Sequence, residues 1–331
     1  MALYAKRLLI MFMLFFYAST NYLQTNGIPQ GGTQPTTPAV TVPSTTRPQA
    51  TNPPTTRPNT PSSTQKGDPT KGIHVSFGSL SCQEYYYYLP KDLSGVKNIV
   101  FMVHGGAWAS GDCSQFKNNA IAAAQKGFIS VNMDYRKIQN GANAFDMLDD
   151  VAKAISSFKK QLDNRGIRYN KMALCGWSAG AHLSLMYAYE YYYNRCPIPI
   201  AFLCVCAPPT DFLADAKSGR TLMGQMANSL MTSLSGEVIL PGTESSHMKA
   251  IKSISPIYMV KPGVPPTIIV NGDDDDVVPV SNSADLYEEL QKAGVDSVRV
   301  VYKGAGHFLG SQFPEEKVRE RVFMQFANKY F

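Results

Sequence analysis

The pentapeptide GWSAG (residues 176–180) places a single serine, Ser178, between two glycines. An apolar run, residues 172–175, precedes it, and an alanine-rich segment follows it. A strand that enters a tight turn and leaves it as a helix exposes the serine hydroxyl, and the flanking glycines relieve crowding at the turn. The pattern predicts a nucleophile, although an ordinary strand-to-helix turn would have the same residues.

Two further groups needed for nucleophilic catalysis follow Ser178 along the chain. A serine hydroxyl is a poor nucleophile until a base takes its proton, and His307, in GAGH (304–307), is the base that we expect. A carboxylate must orient the imidazole and stabilise its cation. Four consecutive aspartates, Asp273 to Asp276, compete for this role. The order serine, aspartate, histidine matches the nucleophile-elbow arrangement.

The segment HGGAW (104–108) contains candidate donors for a developing oxyanion. Fixed N–H donors at such a site are worth about 3 kcal/mol each. We expect Ala179, at the start of the helix after the serine, to provide one N–H, and Gly105, Gly106 or Ala107 to provide the others. The two glycines let a substrate approach the main chain closely. The N–H of Ala107 serves as a donor if its φ is negative.

For several neighbouring residues, both a structural and a functional role are compatible with the sequence. His104 is expected to pin the loop with its ring rather than to catalyse. Trp108 either lines a substrate pocket or packs the loop. His182, one helical turn after the serine, is expected to be structural rather than a second base. Internal ion pairs or hydrogen bonds are expected for Asp112 and for the run Asp134-Tyr135-Arg136.

The elements that must position these residues alternate between strands and helices. Apolar or β-branched segments predict strands at 73–77, 84–90, 98–105, 128–135, 171–177, 200–209, 267–273 and 297–302. Helical spacing follows at 116–125, 144–162, 179–192, 281–293 and 314–330. This alternation predicts an α/β fold with a mostly parallel, roughly eight-stranded sheet, helices on both faces and an antiparallel edge made by the first two strands. The chemical stretches follow four of the strands and should meet at the carboxyl edge of the sheet.

Residues 208–256 form an insertion between two predicted strands and are expected to cover the catalytic edge. Its apolar residues would either form a flexible wall for the substrate or pack the insertion onto the body; they are Leu222, Met223, Met226, Leu230 and Met231.

The N-terminal region has a different composition. Lys6 and Arg7 precede a short apolar run, and small residues follow it, which predicts a secretory signal peptide over residues 1–20. An uncleaved anchor is the alternative, although the run is too short to span a bilayer comfortably. Residues 21–71 are rich in Thr and Pro and predict a disordered linker, with the folded domain at 72–331.

Charge and cysteine content limit the remaining classes. The net charge is +6, but the basic residues are scattered, which argues against nucleic-acid binding. In an exported protein we expect at most one or two disulfides, involving Cys82, Cys113 and Cys196. The other three cysteines lie in apolar strands and are expected to be buried hydrophobes. No zinc or EF-hand spacing occurs, so we expect no metal and no cofactor.

Residues 75–331, with HGGAW and GWSAG, resemble an α/β-hydrolase. They are most similar to small carboxylesterases with an H-G-G oxyanion motif, including feruloyl and acetyl-xylan esterase-like enzymes. The pattern G-x-x-D-x-x-V-P of these enzymes, laid on residues 272–279, selects Asp275 as the acid, with Asp273 as the second choice. Asp274 and Asp276 are then expected to face water or cap the next helix. The third position of the oxyanion motif, often glycine in these enzymes, is Ala107 here.

The resemblance implies a secreted serine carboxylesterase that acts through an acyl-enzyme on Ser178, on a small-molecule or polymer-linked ester, without a cofactor. Two alternatives remain open. HGGAW also fits the H-G-G-x-W motif of kynurenine formamidase-like amidases of the same fold. A Thr/Pro-rich linker also suits a tethered, surface-displayed binding module without activity, but such proteins usually lack a member of the triad, and none is missing here.

Overall fold

The structure is a computed structural model that describes residues 66–192, 195–309 and 315–331. The predicted signal peptide and most of the predicted linker lie outside these residues. The last part of the linker range is described: Lys66 forms an isolated bridge with Asp92, and the N–H of Gly67 donates to the carbonyl of Lys91 at 3.2 Å. These contacts attach Lys66 and Gly67 to the segment that follows the second strand.

The centre of the fold is an eight-stranded sheet. Its strands are β1 (Ile73–Ser76), β2 (Glu84–Tyr88), β3 (Lys97–Val103), β4 (Ile129–Met133), β5 (Tyr169–Trp177), β6 (Ile200–Cys206), β7 (Thr267–Gly272) and β8 (Ser297–Tyr302). They lie in the order β1-β2-β4-β3-β5-β6-β7-β8. Strands β1 and β2 are antiparallel to their neighbours, and every other pair is parallel. The predicted α/β architecture, including its antiparallel edge, is confirmed.

Nine α-helices occur among the described residues, and five of them connect or follow the strands. These five are α1 (Lys117–Gln125), α2 (Ala144–Asn164), α3 (Ala179–Met186), α8 (Val280–Lys292) and α9 (Glu315–Tyr330). The insertion contains the other four, which are α4 (Phe212–Ser218), α5 (Leu222–Gln225), α6 (Ala227–Ser235) and α7 (Met248–Ser253).

Alternating residues of the buried strands separate two apolar layers. In β3, Phe101 faces the layer that contains α2, where its ring lies 6.2 Å from that of Phe158. Its neighbours Val100 and Met102 face the opposite layer and pack with Ala120 and Ala124 of α1. Helix α9 lies on the same side as α1 through packing with β6, and helix α8 contributes to the layer with α2. Helices thus cover both faces, which explains why the central strands are apolar on both sides.

The six cysteines are all free thiols. The expected disulfides involving Cys82, Cys113 and Cys196 are therefore absent from the structure. Burial raises the pKa of the Cys113 thiol to about 12, so this cysteine behaves as a small buried hydrophobe, as the strand cysteines were expected to. Among the residues described, no helix combines the length and apolar character that a membrane span requires.

Candidate active site

Ser178 lies on a strained turn between β5 and α3. Its φ of 53° and ψ of −122° are outside the regions that a non-glycine residue favours. The turn is held from both sides: the N–H of Ser178 donates to the carbonyl of Cys206 at 2.8 Å, and the N–H of His182 donates to the carbonyl of Ser178 at 3.0 Å. The strain is thus fixed by β6 and by the first turn of α3, as expected where a side chain must be presented in one direction.

The glycines of GWSAG are required by close backbone contacts. A Cβ on Gly176 would lie 2.3 Å from the carbonyl oxygen of Gly180, and one on Gly180 would lie 2.1 Å from that of Val103. Backbone atoms cannot yield as a flexible side chain can. Any larger residue at either position would push α3 away from β3 and β5, and the serine would move with it.

The three residues of the predicted triad meet in the structure. His307 Nε2 lies 3.0 Å from Ser178 Oγ, and His307 Nδ1 lies 2.9 Å from Asp275 Oδ2. All three side chains are nearly buried. An imidazole in this setting donates its Nδ1–H to the carboxylate and accepts the serine O–H at Nε2, which is the protonation state that a general base requires.

The four aspartates after β7 have different environments. Asp275 is buried, and its second oxygen, Oδ1, accepts from the N–H groups of Val277 and Val278, both at 2.9 Å. Asp273, Asp274 and Asp276 are exposed. Asp273 instead accepts from the N–H of Gly304 at 2.5 Å. Only Asp275 therefore contacts the histidine, and Asp273 ties the two loops together.

The oxyanion loop, defined here as residues 104–108, runs beside the nucleophile turn. A Cβ on Gly105 would lie 2.6 Å from the ring of Trp177, and one on Gly106 would lie 2.1 Å from the carbonyl oxygen of Ser110. Among the described residues, no hydrogen bond occupies the N–H of Gly106, Ala107 or Ala179. These groups are available to an oxyanion.

The negative φ on which the Ala107 donor was made conditional does not occur, although the Ala107 N–H has no hydrogen-bond partner among the described residues. Ala107 has φ of 53° and Trp108 has φ of 59°. This left-handed conformation explains why glycine suits the third position of such a loop, since an L-residue there costs about 1–2 kcal/mol. The loop turns back on itself through N–H donation from Ala109 and Ser110 to the carbonyl of Gly106, at 3.1 and 2.8 Å.

The ring of His104 holds the oxyanion loop in place through two hydrogen bonds. It is fully buried, with Nδ1 at 2.6 Å from the carbonyl oxygen of Gly105 and Nε2 at 2.8 Å from Asp134 Oδ1. The same Asp134 oxygen accepts from Lys137 Nζ at 2.8 Å. Arg136 contacts Asp150 through Nε at 2.8 Å. His104, Asp134 and Arg136 thus have the internal contacts expected of structural residues.

Trp108 and His182 are joined by a buried hydrogen bond. Trp108 is 2% exposed, and its Nε1–H donates to His182 Nδ1 at 3.1 Å. His182 Nε2 lies 2.8 Å from the carbonyl oxygen of Ile254, in the insertion. Because an indole can only donate, Nδ1 carries no proton, and His182 is neutral. Burial lowers the pKa of His182 to about 4, against the smaller opposing effect of the bond to Ile254.

These contacts correspond to the packing interpretation of Trp108. Its indole lies against His182 and Phe212, with ring centroids 5.1 and 5.8 Å away. A role of Trp108 in substrate binding stays a prediction.

The insertion is hydrogen-bonded to the loop that carries Asp275. At the start of α5, the N–H of Leu222 donates to the carbonyl of Asp276, and the N–H of Met223 donates to that of Val277, both at 3.1 Å. Of the five apolar residues expected to form a wall or to pack the insertion, Met223, Leu230 and Met231 are buried in the main core, whereas Leu222 and Met226 are half-buried.

Asn282 on α8 anchors the base of the insertion. Its amide Nδ2 donates to Asp215 Oδ1 at 2.7 Å, and its Oδ1 accepts from the N–H of Asp211 at 3.0 Å. Burial raises the pKa of Asp215 to about 7, against the lowering effect of its hydrogen bond from Asn282, and its other carboxylate oxygen, Oδ2, has no hydrogen-bond partner among the described residues. The shift reflects the cost of a charged carboxylate in a buried position.

A protein-family model described as BD-FAE matches residues 87–290, which is more than half of the chain. The matched range includes the oxyanion loop, the nucleophile turn and Asp275. The chain belongs to the BD-FAE family.

Curated relatives of this BD-FAE protein include ester hydrolases. Isoprenylcysteine alpha-carbonyl methylesterase ICME of Arabidopsis thaliana is 26% identical over 242 residues, which are 70% of this chain and 55% of the relative. Esterase LipC of Mycobacterium tuberculosis is 26% identical over 224 residues, 63% of this chain and 52% of the relative. The chain spans about half the length of the curated relatives it matches. They support the expected ester hydrolase class.

Solved structures show the same fold. A truncated carbohydrate esterase from gut microbiota superposes with a TM-score of 0.62 at 19% identity, over 79% of this chain and 99% of the other. Esterase 2 of Thermogutta terrifontis, with butyrate bound, has a TM-score of 0.62 at 21% identity, over 78% of this chain and 94% of the other. This BD-FAE protein therefore has the α/β-hydrolase fold.

The roles of some residues around the site were not expected from the sequence. Trp177 donates its Nε1–H to the carbonyl of His307 at 3.2 Å, and the two rings lie 5.3 Å apart. Asp273 and Asn282 hold loops, as described above. In this BD-FAE protein the only available signal was position: Trp177 directly precedes the serine, and Asp273 lies two residues before the acid.

Replacement of the acid should separate the two aspartates. Asp275→Asn should lower kcat on an activated ester such as p-nitrophenyl acetate by about 10⁴-fold, because an amide favours the wrong histidine tautomer. Asp273→Asn retains an acceptor for the Gly304 N–H and should stay within about tenfold of the wild-type kcat. Equal losses in the two variants would contradict the assignment of Asp275.

The buried His182 should make the protein less stable in acid. Its pKa is held near 4 in the folded chain against 6.5 ordinarily, so between these values only the unfolded chain takes up the proton. The contribution of the neutral His182 to the free energy of unfolding is therefore complete above pH 6.5 and is lost as the pH falls towards 4. The free energy of unfolding, measured with urea at pH 7 and at pH 4.5, should fall between the two pH values in both proteins. The fall should be about 2–3 kcal/mol smaller in His182→Gln than in the wild type. Equal losses in both proteins would rule out a neutral buried His182.

Proposed function

We propose that the protein is a serine carboxylic ester hydrolase that acts through an acyl-enzyme on Ser178. The observation that carries the proposal is the continuous chain of hydroxyl, imidazole and carboxylate, with contacts of 3.0 and 2.9 Å. A serine on a strained turn and available N–H donors beside it complete the machinery that acyl transfer needs.

The reaction follows from the contacts. Ser178 Oγ attacks the ester carbonyl carbon while His307 Nε2 takes the hydroxyl proton, and the carbonyl electron pair moves to oxygen. When the tetrahedral intermediate collapses, the bond to the leaving alcohol breaks and His307 returns the proton to that alcohol. Water then attacks the acyl-serine ester with His307 again as base, which releases the acid and restores the Ser178 hydroxyl. Asp275 stabilises the imidazolium in both halves and stays ionised.

Stabilisation of the oxyanion is the second contribution. Ala179 is the first residue of α3, so its N–H has no partner within the helix and lies at the positive end of the helix dipole. Gly106 and Ala107, on the oxyanion loop beside the nucleophile turn, have further N–H groups without a hydrogen-bond partner among the described residues. Removal of one such donor costs about 10²–10³-fold in kcat in enzymes of this chemistry.

The substrate class is a carboxylic ester on a small molecule or a polymer. The curated relatives are named as esterases, and one structural neighbour is named as a carbohydrate esterase. A panel of acetyl, butyryl, long-chain acyl and feruloyl esters addresses the acyl group. Inclusion of N-formylkynurenine tests the amidase alternative.

The proposal predicts covalent labelling at one residue. A fluorophosphonate probe should label Ser178, because the activated hydroxyl attacks phosphorus as it would attack a carbonyl. Ser178→Ala should abolish both labelling and ester turnover, and peptide mapping of the wild type should place the adduct on the peptide that contains GWSAG. Ser184→Ala is the matched control, since this buried serine lies on the same helix but bonds to the carbonyl of Gly180. A folded wild-type protein that resists the probe and hydrolyses no ester would overturn the proposal.

We also propose that the protein is exported and that the Thr/Pro-rich residues serve as a tether. Support comes from Lys6, Arg7 and the apolar run after them, followed by residues 30–71 with few large apolar side chains. N-terminal sequencing of the protein from its source should find a start near residue 21. An intact N-terminus on protein recovered from the cell interior would contradict this proposal.

A further inference from the structure

The oxyanion loop contains a conformation that its own sequence does not favour. Ala107 and Trp108 are consecutive left-handed residues, and neither is glycine. Such a conformation persists only where surrounding contacts fix it. The contacts of Trp108 therefore bear directly on where the loop N–H groups lie.

Trp108 is connected to the helix that starts at the nucleophile. Its Nε1–H donates to His182 Nδ1 at 3.1 Å, with the two rings perpendicular. His182 lies one turn after Ser178, and its own N–H donates to the carbonyl of Ser178 at 3.0 Å. The two sets of candidate oxyanion donors, in the loop and at Ala179, thus lie on two elements that a single side-chain hydrogen bond joins.

The orientation of the His182 ring is fixed by a third element. Its Nε2–H donates to the carbonyl of Ile254 at 2.8 Å, just after α7. Phe212 of α4 packs edge-on against His182, with ring centroids 5.4 Å apart. Because both ring nitrogens are used and the ring is fully buried, His182 has one orientation and one tautomer.

We propose that Trp108 and His182 are positioning residues for transition-state stabilisation, in that their hydrogen bond holds the oxyanion loop against the nucleophile helix. The proposal rests on the proposed esterase function and assigns no direct contact with the substrate to either side chain. Loss of the bond lets the strained loop relax, and its N–H groups move from the position of the oxyanion. Substrate binding in the ground state, which depends little on these donors, changes less.

The test compares variants that differ in this one bond. Trp108→Phe keeps an aromatic ring but has no donor, and His182→Leu fills the space but has neither nitrogen. His182→Gln carries an acceptor and a donor about as far apart as the two imidazole nitrogens and is the conservative rescue. His74→Leu is the control, because His74 lies on the edge strand β1 and contacts Glu84.

On p-nitrophenyl acetate, Trp108→Phe and His182→Leu should each lower kcat by about 10- to 100-fold, with KM within about threefold of the wild-type value. His182→Gln and His74→Leu should stay within about threefold of wild-type kcat. The double variant Trp108→Phe/His182→Leu should be no worse than the more impaired single variant, since both remove the same bond. Wild-type kcat in Trp108→Phe, or losses that multiply in the double variant, would overturn the proposal.

A second readout does not depend on activity. The chain has two tryptophans, so its ¹H–¹⁵N spectrum contains two indole signals, and Trp108→Phe identifies the one that belongs to residue 108. The exchange of this indole proton with solvent should accelerate in His182→Leu and remain slow in His182→Gln. If the wild type hydrolyses no ester, the esterase function fails, and indole exchange alone then decides whether the bond holds the loop. If His182→Leu does not fold, Trp108→Phe and His182→Gln still decide the outcome.

Discussion

The whole site depends on one backbone constraint, the turn at Ser178. Ser178 has a positive φ, and the backbone of α3 packs directly against the backbones of β3 and β5, with no side chain between them. That approach requires glycine at 176 and 180, and it places the N-terminus of α3 directly beside the hydroxyl. The positions of the nucleophile and of the Ala179 N–H are therefore set by the same contact.

The remaining loops are fixed relative to this turn by hydrogen bonds rather than by apolar packing alone. The acid and histidine loops are joined by N–H donation from Asp274 to the carbonyl of Ala305 at 3.0 Å and by the contact of Asp273 with Gly304. The histidine loop is joined to the nucleophile strand through Trp177. The insertion is joined to the acid loop through Leu222 and Met223. The position of each triad residue is therefore fixed by hydrogen bonds that neighbouring residues form.

Much of this arrangement could be predicted from the sequence, because the strands are long apolar runs and the chemical residues follow them directly. Ser178 and His307 were accessible from motif and chain order. The choice of Asp275 required the family pattern, because four adjacent aspartates are equivalent by composition, and only the fold buries one of them. The φ of Ala107 could not be predicted, since the adjoining Trp108 is hydrogen-bonded to His182, which lies 74 residues further along the chain. The free cysteines show a similar limit, because a sequence does not give the distances between thiols.

His182 illustrates what spacing alone indicates and what it leaves out. Its position one turn after the serine correctly predicted a structural residue. Its two partners come from the oxyanion loop and the insertion, 74 and 72 residues away in sequence, and only the packed fold brings them together.

Among the residues that the structure describes, the non-glycine residues with left-handed φ are Ala107, Trp108, Ser178, Ala207 and Leu309. All of them follow the carboxyl ends of strands, on the edge that contains the triad. Each such conformation costs on the order of 1–3 kcal/mol, so the residues at this edge lower the free energy of unfolding. None of these non-glycine residues lies at the amino edge of the sheet. Substitutions that raise thermal stability by relieving backbone strain would therefore have to be made at the carboxyl edge, beside the triad. Relaxing the carboxyl edge would gain thermal tolerance at the expense of turnover.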